Sequence, residues 1–255
     1  MRSSRLARGG LLASALLSIL ATVQAAGGAA AAPGDTETLR PIDAGYATSL
    51  ALNGTAAVTS DRGDKRKIEL TSGSYKQAGS AWSTAKVDLT ESFETSFTAY
   101  LHHGKPGADG IAFLAQGAGP RALGGWGGGL GYRGIRKSVA VEFDTYQNTP
   151  DPSSNHLAVV LSGNPDKHAA VAESSIPLFG KPFQARVRYD AEGHHLKVYV
   201  RSLSAGATEQ LLLNQTTDLA EGAGTKSGWI GFTASTGEVT ARQDVYDWTV
   251  DAPLA

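Results

Sequence analysis

Short runs of β-branched and aromatic residues alternate with turn-forming residues along most of this 255-residue chain. Segments 93–100, 185–189 and 196–200 each predict a strand, and the residues between the last two, Asp-Ala-Glu-Gly-His-His, are typical of a hairpin turn. Long stretches with helical periodicity are missing, and the 31 glycines suit many tight turns. The chain therefore predicts an all-β fold, an antiparallel β-sandwich of the jelly-roll type.

The first 32 residues predict a secretory signal peptide and a lead-in of small residues. A basic start is followed by an apolar run over residues 11–23 and then by an alanine-rich stretch. A membrane anchor is the alternative, but the apolar run is short for a span of about twenty residues. We expect cleavage between residues 25 and 32, giving a secreted, extracellular protein with no membrane span.

Residues 33–255 are expected to form one domain, because this length lies within the range of a single sandwich. Cysteine is absent, and a secreted chain of this size can bury enough apolar surface to fold without disulfides. The 23 basic and 24 acidic residues are nearly balanced, so no broad electrostatic field favours nucleic acid or anionic membranes. We expect no nucleic-acid partner.

A predicted strand and the loop that follows it carry carboxylate, amide and imidazole groups within fifteen positions. These residues are Glu142, Asp144, Tyr146, Asn148, Asp151 and His156. Strand alternation puts the first four on one face. Converging carboxylates repel one another unless a cation or protons compensate. Calcium takes six to eight oxygen ligands, and manganese-like ions accept oxygen together with imidazole. The segment predicts a double metal site; the alternative is an ordinary polar loop at a strand end.

This segment resembles the signature strand of the legume lectins, within the wider L-type lectin family. The match runs over Val139–Tyr146 and the polar residues after it. Further matches follow in the family's order at segments 79–82, 87–89, 93–97, 108–113, 228–237 and 244–248. The resemblance covers nearly all of the mature region and implies a concanavalin A-like sandwich. One departure is Pro150, where many members have an aromatic residue.

The resemblance also implies which residues bind metal. The ligands of a transition metal, such as Mn²⁺, would be Glu142, Asp144, Asp151 and His156. The ligands of Ca²⁺ would be Asp144, the Tyr146 carbonyl, Asn148 and Asp151, so that two aspartates bridge both ions.

A sugar site is implied on the same grounds. Asp109 would accept two sugar hydroxyls after a cis Ala108–Asp109 peptide, with the strength of charged hydrogen bonds. The Gly128 backbone N–H would donate, since a missing Cβ permits close approach. Asn148 would use its amide both for calcium and for sugar, and Tyr146 would pack on the pyranose face. A turn aspartate and a core aromatic are the ordinary alternatives for Asp109 and Tyr146.

The last contact loop begins at Gly237 and Glu238. Six residues separate Gly237 from Asp244, and by resemblance this short loop implies mannose- or glucose-type glycans. Family members often pair through a flat back sheet, which implies a homodimer or higher oligomer.

Two other functions are open. Laminarinase-like glycoside hydrolases share the jelly-roll architecture and place two carboxylates about 5 to 5.5 Å apart. Their strand pattern is similar to Glu-x-Asp-x-Glu, whereas Tyr146 occupies the third acidic position here. An adhesion protein with purely structural metals is the other alternative. The favoured hypothesis is a secreted, non-enzymatic lectin that uses Ca²⁺ and Mn²⁺ to bind glycans or glycoproteins.

Overall fold

The structure, a computed structural model, describes residues 37–39, 50–104 and 106–255. The predicted signal peptide and its cleavage site lie outside the described residues. Within the part described, no helix is long and apolar enough to cross a membrane.

Sixteen strands account for most of the described chain. In order they are β1 (Glu37–Leu39), β2 (Leu50–Gly54), β3 (Ala57–Ser60), β4 (Arg66–Ser72), β5 (Ala78–Ser83), β6 (Val87–Asp88), β7 (Phe93–His102), β8 (Gly110–Gln116), β9 (Ser138–Asp144), β10 (His156–Leu161), β11 (His168–Glu173), β12 (Phe183–Asp190), β13 (His195–Ser202), β14 (Gln210–Thr216), β15 (Ser227–Ser235) and β16 (Arg242–Ala252). One short helix, α1, spans Leu219–Ala223, and one 3-10 turn spans Gly127–Gly129.

The strands form two antiparallel eight-stranded sheets. The first sheet has the order β14-β13-β12-β7-β16-β4-β3, with β1 also paired to β16. The second has the order β11-β10-β9-β8-β15-β5-β2, with β6 also paired to β15. The predicted all-β sandwich is confirmed, and the predicted hairpin over residues 185–200 is the β12–β13 pair.

The main core lies between the sheets and is centred on aromatic rings. Phe97 from the first sheet packs edge-on against Phe143 and Phe232 from the second, with ring centroids 5.6 and 4.7 Å apart. Such edge-to-face pairs add about 0.5–1.5 kcal/mol each beyond the area that they bury. Along β7 the burial alternates, as expected for a strand with one face on the core.

Strands β8 and β9 are buried at every position, because both of their faces are covered. One face joins the main core. The other belongs to a second apolar cluster that includes Trp82, Leu130 and Tyr132. Leu130 and Tyr132 come from the long β8–β9 loop, which folds back over the sheet; the Thr233 hydroxyl donates to the Leu130 carbonyl at 2.8 Å. This packing holds a glycine-rich loop against the outer face of the second sheet.

A charged cluster is buried on the first sheet, far along the chain from the predicted metal ligands. The Asp244 carboxylate is fully buried and accepts from Lys67 Nζ at 2.6 Å. His102 Nε2 lies 3.0 Å from the same oxygen. Burial lowers the pKa of His102 from its ordinary value, against the opposing effect of Asp244.

Candidate functional site

The predicted site residues come together at one end of the second sheet. Gly110 at the start of β8 pairs with Asp144 at the end of β9 and with Ser235 at the end of β15. The segments before β8, after β9 and after β15 therefore leave the sheet at the same edge. The glycine-rich loop reaches this edge as well, since the Gly127 N–H donates to the Thr236 carbonyl at 3.1 Å.

Asp109 is buried at this edge, and its main chain is fixed on both sides. The Ala108–Asp109 peptide is cis, as predicted. The Asp109 N–H donates to Ser235 O at 3.0 Å, and its carbonyl accepts from Thr145 N at 3.0 Å. Within the described chain, Oδ2 is buried without a hydrogen-bond partner. Burial raises the pKa of Asp109 to about 7, partly offset by the Gly237 backbone N–H. The Asp109 side chain therefore has a buried oxygen, Oδ2, that can accept a hydrogen bond from a ligand.

Gly128 lies in the 3-10 turn, where it faces Asn148. A Cβ at Gly128 would lie 3.0 Å from Asn148 Oδ1, closer than most real Cβ contacts. Gly237 lies next to this turn and to Asp109: a Cβ there would lie 3.4 Å from Gly127 Cα and 3.6 Å from Asp109 Oδ2. Asp109, Gly128, Asn148 and Gly237 therefore form one compact group without side-chain bulk between them.

The other two predicted sugar contacts lie at the periphery. Tyr146 is half-buried and lines a shallow surface hollow with Asn148 and Asp151. Its N–H donates to Asp144 Oδ1 at 2.7 Å, which ties the loop to the strand end. Glu238 is exposed, and its carboxylate is 3.0 Å from Lys76 Nζ. The structure pairs Glu238 with this lysine.

Trp126 is an exposed aromatic residue beside this group that the sequence analysis did not single out. Its side chain is 54% exposed, and Lys76 Nζ lies 5.3 Å from its ring centroid. The sequence predicted only a backbone donor, Gly128, in this loop. An aromatic residue two positions before the predicted donor Gly128 was the available signal.

The predicted transition-metal ligands converge in space. Two sets of ligand atoms each lie within 4.8 Å of one another: Asp144, Asp151 and His156, and Glu142, His156 and His168. Glu142, Asp144 and His156 are 1%, 2% and 0% exposed. Asp151 is also tied to the predicted calcium loop, because its Oδ2 accepts from the Asn148 N–H at 2.7 Å.

The electrostatics of this cluster favour a cation. Burial raises the pKa of Glu142 to about 8, and burial together with the Glu142 charge raises that of Asp144 well above its ordinary value. The Tyr132 hydroxyl donates to Glu142 Oε1. His156 Nδ1 lies 2.7 Å from the Ser153 carbonyl, so an Nδ1–H tautomer leaves the Nε2 lone pair facing the carboxylates. That Nε2 is buried without a partner in the described residues. The donor set fits a metal ion.

His168 belongs to this cluster and was missed from the sequence. Along β11, Val171 and Glu173 pair with Ala158 and His156, so simple alternation puts Ala169 on the ligand face. The ladder shifts register between Val159 and Val160, and His168 pairs with Val160 instead. This irregularity turns His168 towards the ligands, and no local sequence signal marks it.

Known proteins share both the sequence pattern and the fold of this chain. Residues 43–247 match the family model described as "Legume lectin beta-barrel domain". A lectin from Leucomphalos mildbraedii is 29% identical over 180 residues, covering 65% of this chain and 71% of the relative. The crystal structure of basic winged bean lectin with Tn-antigen superposes with a TM-score of 0.72 at 23% identity, covering 86% of this chain and 99% of that one. The lectin from Bauhinia forficata in complex with GalNAc gives 0.71 at 24% identity, covering 86% and 99%.

Proposed function

This chain belongs to the legume lectin family of non-enzymatic, carbohydrate-binding proteins, and we propose that Asp109, Gly128 and Asn148 hold its sugar. The observation that carries this proposal is the buried Oδ2 of Asp109, which has no hydrogen-bond partner among the described residues, together with the close Gly128–Asn148 pair. Burying an acceptor without a hydrogen bond costs about 1–3 kcal/mol, which a ligand hydroxyl would recover.

Each group supplies a different part of sugar recognition. The Asp109 carboxylate accepts hydroxyl hydrogens, and the Gly128 N–H and Asn148 NH₂ donate. Tyr146 offers an apolar ring face at the rim. Gly237 and Glu238 begin the last contact loop: the glycine leaves space above Asp109, and Glu238 faces solvent at the edge.

We propose that Glu142, Asp144, Asp151 and His156 bind a transition metal such as Mn²⁺. The Tyr146 carbonyl and Asn148, together with Asp144 and Asp151, would bind Ca²⁺. When bound, these ions supply positive charge that compensates the buried carboxylates. The support is the convergence of the ligand atoms, their burial and the raised pKa of Glu142. Asp151 also accepts a hydrogen bond from the Asn148 backbone N–H. A metal ion that fixes Asp151 would therefore also fix Asn148, a proposed sugar-binding residue.

We further propose a preference for mannose- or glucose-type glycans. The support is the short loop between β15 and β16, residues 236–241, together with the family's relation between loop length and preference. Two similar structures contain Tn-antigen and GalNAc, so galactose-type sugars are the competing ligands for the test.

Secretion of the mature protein is proposed from the signal-peptide pattern, with extracellular glycans or glycoproteins as partners. A homodimer or higher oligomer is proposed on family resemblance.

The geometry does not favour glycoside hydrolysis. A retaining hydrolase needs one of its two carboxyl groups to protonate the glycosidic oxygen of a bound substrate. Glu142 is 1% exposed and accepts a hydrogen bond from Tyr132, so it lies beneath the surface.

A glycan array of the mature protein tests the proposed function. We expect mannose-type binding with Ca²⁺ and Mn²⁺ present, its loss after EDTA treatment, and its absence from Asp109→Ala. Binding to galactose or GalNAc alone would overturn the proposed preference while leaving the site intact. No binding to any glycan by a folded, metal-loaded protein would overturn the proposed sugar site.

A further inference from the structure

We propose that His168 is an additional ligand of the transition metal, and that the resulting pair of imidazoles raises the affinity of this site for Co²⁺, Ni²⁺ and Zn²⁺ relative to its affinity for Mn²⁺. The inference rests on the proposed function only in assuming a cation at Glu142, Asp151 and His156. It does not depend on which sugar is bound.

The distances around His168 fit a shared ion. Its Nε2 lies 3.4 Å from Asp151 Oδ1 and 3.8 Å from Glu142 Oε2. His156 Nε2 lies 3.6 Å from the same Asp151 oxygen. Ligand atoms at about 2.1 Å from one ion lie roughly 3.0 Å apart at right angles and about 3.4 Å apart in a tetrahedron. The separations of 3.4 and 3.6 Å are near the tetrahedral value, and the 3.8 Å separation from Glu142 is somewhat longer.

The environment of His168 also fits a metal ligand. Its side chain is 7% exposed, and Nε2 is buried with no hydrogen-bond partner within the described chain. The rings of His156 and His168 are 5.9 Å apart and tilted by 45°, so they are not stacked. Both Nε2 atoms lie near Asp151 Oδ1, at 3.6 and 3.4 Å. Two unsatisfied imidazole nitrogens at one point are costly unless something binds them.

The backbone of β11 places His168 on the same face of the sheet as the other ligands. Without the register shift in β11, Ala169 would pair with Val160 and His168 would lie on the opposite face of the sheet. Bulges are frequent beside functional sites, where they redirect a side chain. Here the redirected side chain is an imidazole, and it meets two carboxylates and another imidazole.

The ligand set determines which metal is favoured. Carboxylate and water ligands suit Mn²⁺, whereas imidazole suits Zn²⁺, Ni²⁺ and Cu²⁺, and affinities rise along the first row from Mn²⁺ to Cu²⁺. Replacing a water by a second imidazole therefore strengthens binding of the later metals much more than that of Mn²⁺. A His168 that only pairs with Asp151 is the alternative, and it predicts that replacing His168 leaves the Co²⁺ and Zn²⁺ affinities unchanged relative to the Mn²⁺ affinity.

Metal binding by the metal-free protein, without sugar, tests the proposal. Affinities for Mn²⁺, Co²⁺ and Zn²⁺ are measured by competition with a chromophoric chelator for wild type, His168→Ala and His168→Gln. His194→Ala on the β12–β13 turn of the other sheet is the matched control. We expect both His168 variants to lose at least tenfold in Co²⁺ and Zn²⁺ affinity and less than threefold in Mn²⁺ affinity, and His194→Ala to match wild type.

X-ray absorption of zinc-loaded protein gives an independent count of imidazole ligands. We expect two in wild type and one in His168→Gln. A single imidazole in wild type, or unchanged Co²⁺ and Zn²⁺ affinities in both His168 variants, would overturn the proposal. If wild type bound none of these metals, the proposed cation site itself would be wrong. Since sugar binding is measured separately, failure of the sugar site cannot be mistaken for either result.

Discussion

Gly128 faces the side-chain amide of Asn148 so closely that a Cβ on the glycine would lie 3.0 Å from Oδ1 and 3.2 Å from Nδ2. The two residues come from different loops, and the missing side chain sets the distance between them. Arg133 Nη2 also donates to the Gly128 carbonyl, at 3.3 Å.

Substituting Gly128 by alanine should weaken sugar binding while the protein stays folded. The new methyl group would displace the Asn148 amide and fill the space left for a ligand. We expect affinity to fall about tenfold, equivalent to about 1.4 kcal/mol, in calorimetric titration with a simple glycoside. Gly125→Ala in the same loop is the control, since its Cβ would meet Arg133 at an ordinary 3.5 Å. Equal loss in both variants would mean that the loop, rather than the Gly128–Asn148 contact, matters.

Replacing Asp109 by asparagine should abolish sugar binding yet stabilise the metal-free protein above neutral pH. The pKa of Asp109 is raised to about 7 by burial, above the ordinary value of 3.8. The folded state therefore disfavours ionisation, and stability falls as pH rises from about 4 to 7. Asparagine removes this penalty, which for a shift of this size is on the order of 4 kcal/mol. Urea unfolding in EDTA should show variant and wild type equal near pH 4 and separated at pH 8. A pH-independent difference would contradict the assignment.

Metal binding at pH 7 should release protons. In the metal-free protein, burial raises the pKa of Glu142 to about 8, so this carboxyl is largely protonated at neutral pH. A cation binds the ionised form, so the proton must leave. Calorimetry in buffers of different ionisation enthalpy should give at least one proton released at pH 7, since the pKa of the ligand Asp144 is raised as well, and fewer at pH 9.5. Apparent affinity should rise between those values. A proton count near zero at pH 7 would show that the cation does not displace the Glu142 proton.

His102 should make the fold acid-sensitive through a region away from the metals. Its pKa is lowered from 6.5, mainly by burial, so the folded state prefers the neutral ring. The associated stability is present above pH 6.5 and is lost as pH falls through the lower folded pKa. In EDTA, the free energy of unfolding of wild type minus that of His102→Gln should decrease from pH 7.5 to pH 5. A constant difference would assign the acid sensitivity to other groups.

The parts of the site that the sequence predicted are those encoded locally. Glu142 and Asp144 share a face because one strand carries both, and Asp151 and His156 follow within the next loop and strand start. Asp109 and Gly128 came from resemblance to family motifs, and the structure brings them to the same edge. In each case a short stretch of chain carries the whole signal.

The parts that were missed depend on pairing between strands. His168 reaches the metal cluster through a shift in the β10–β11 ladder, and alternation along its own strand gives the wrong face. The buried partners Lys67 and Asp244 are 177 positions apart, and only the β4–β16 pairing brings them together. Register is set by the whole sheet and its core, so a single strand's pattern does not determine it.

Trp126 should contact a second sugar residue of a bound glycan, next to the one held by Asp109. Trp126 is exposed and directly precedes Gly127 in the chain. Gly127 lies close to Gly237, which in turn lies close to Asp109. Lys76 Nζ lies over the Trp126 ring at cation–π distance. We expect Trp126→Ala to weaken binding of a trisaccharide about three- to tenfold and of a methyl monosaccharide less than twofold. Trp126→Phe should restore most of the loss, because it retains an aromatic face. Equal weakening for both ligands would place the ring against the primary sugar, and no change for either would leave Trp126 without a part in recognition.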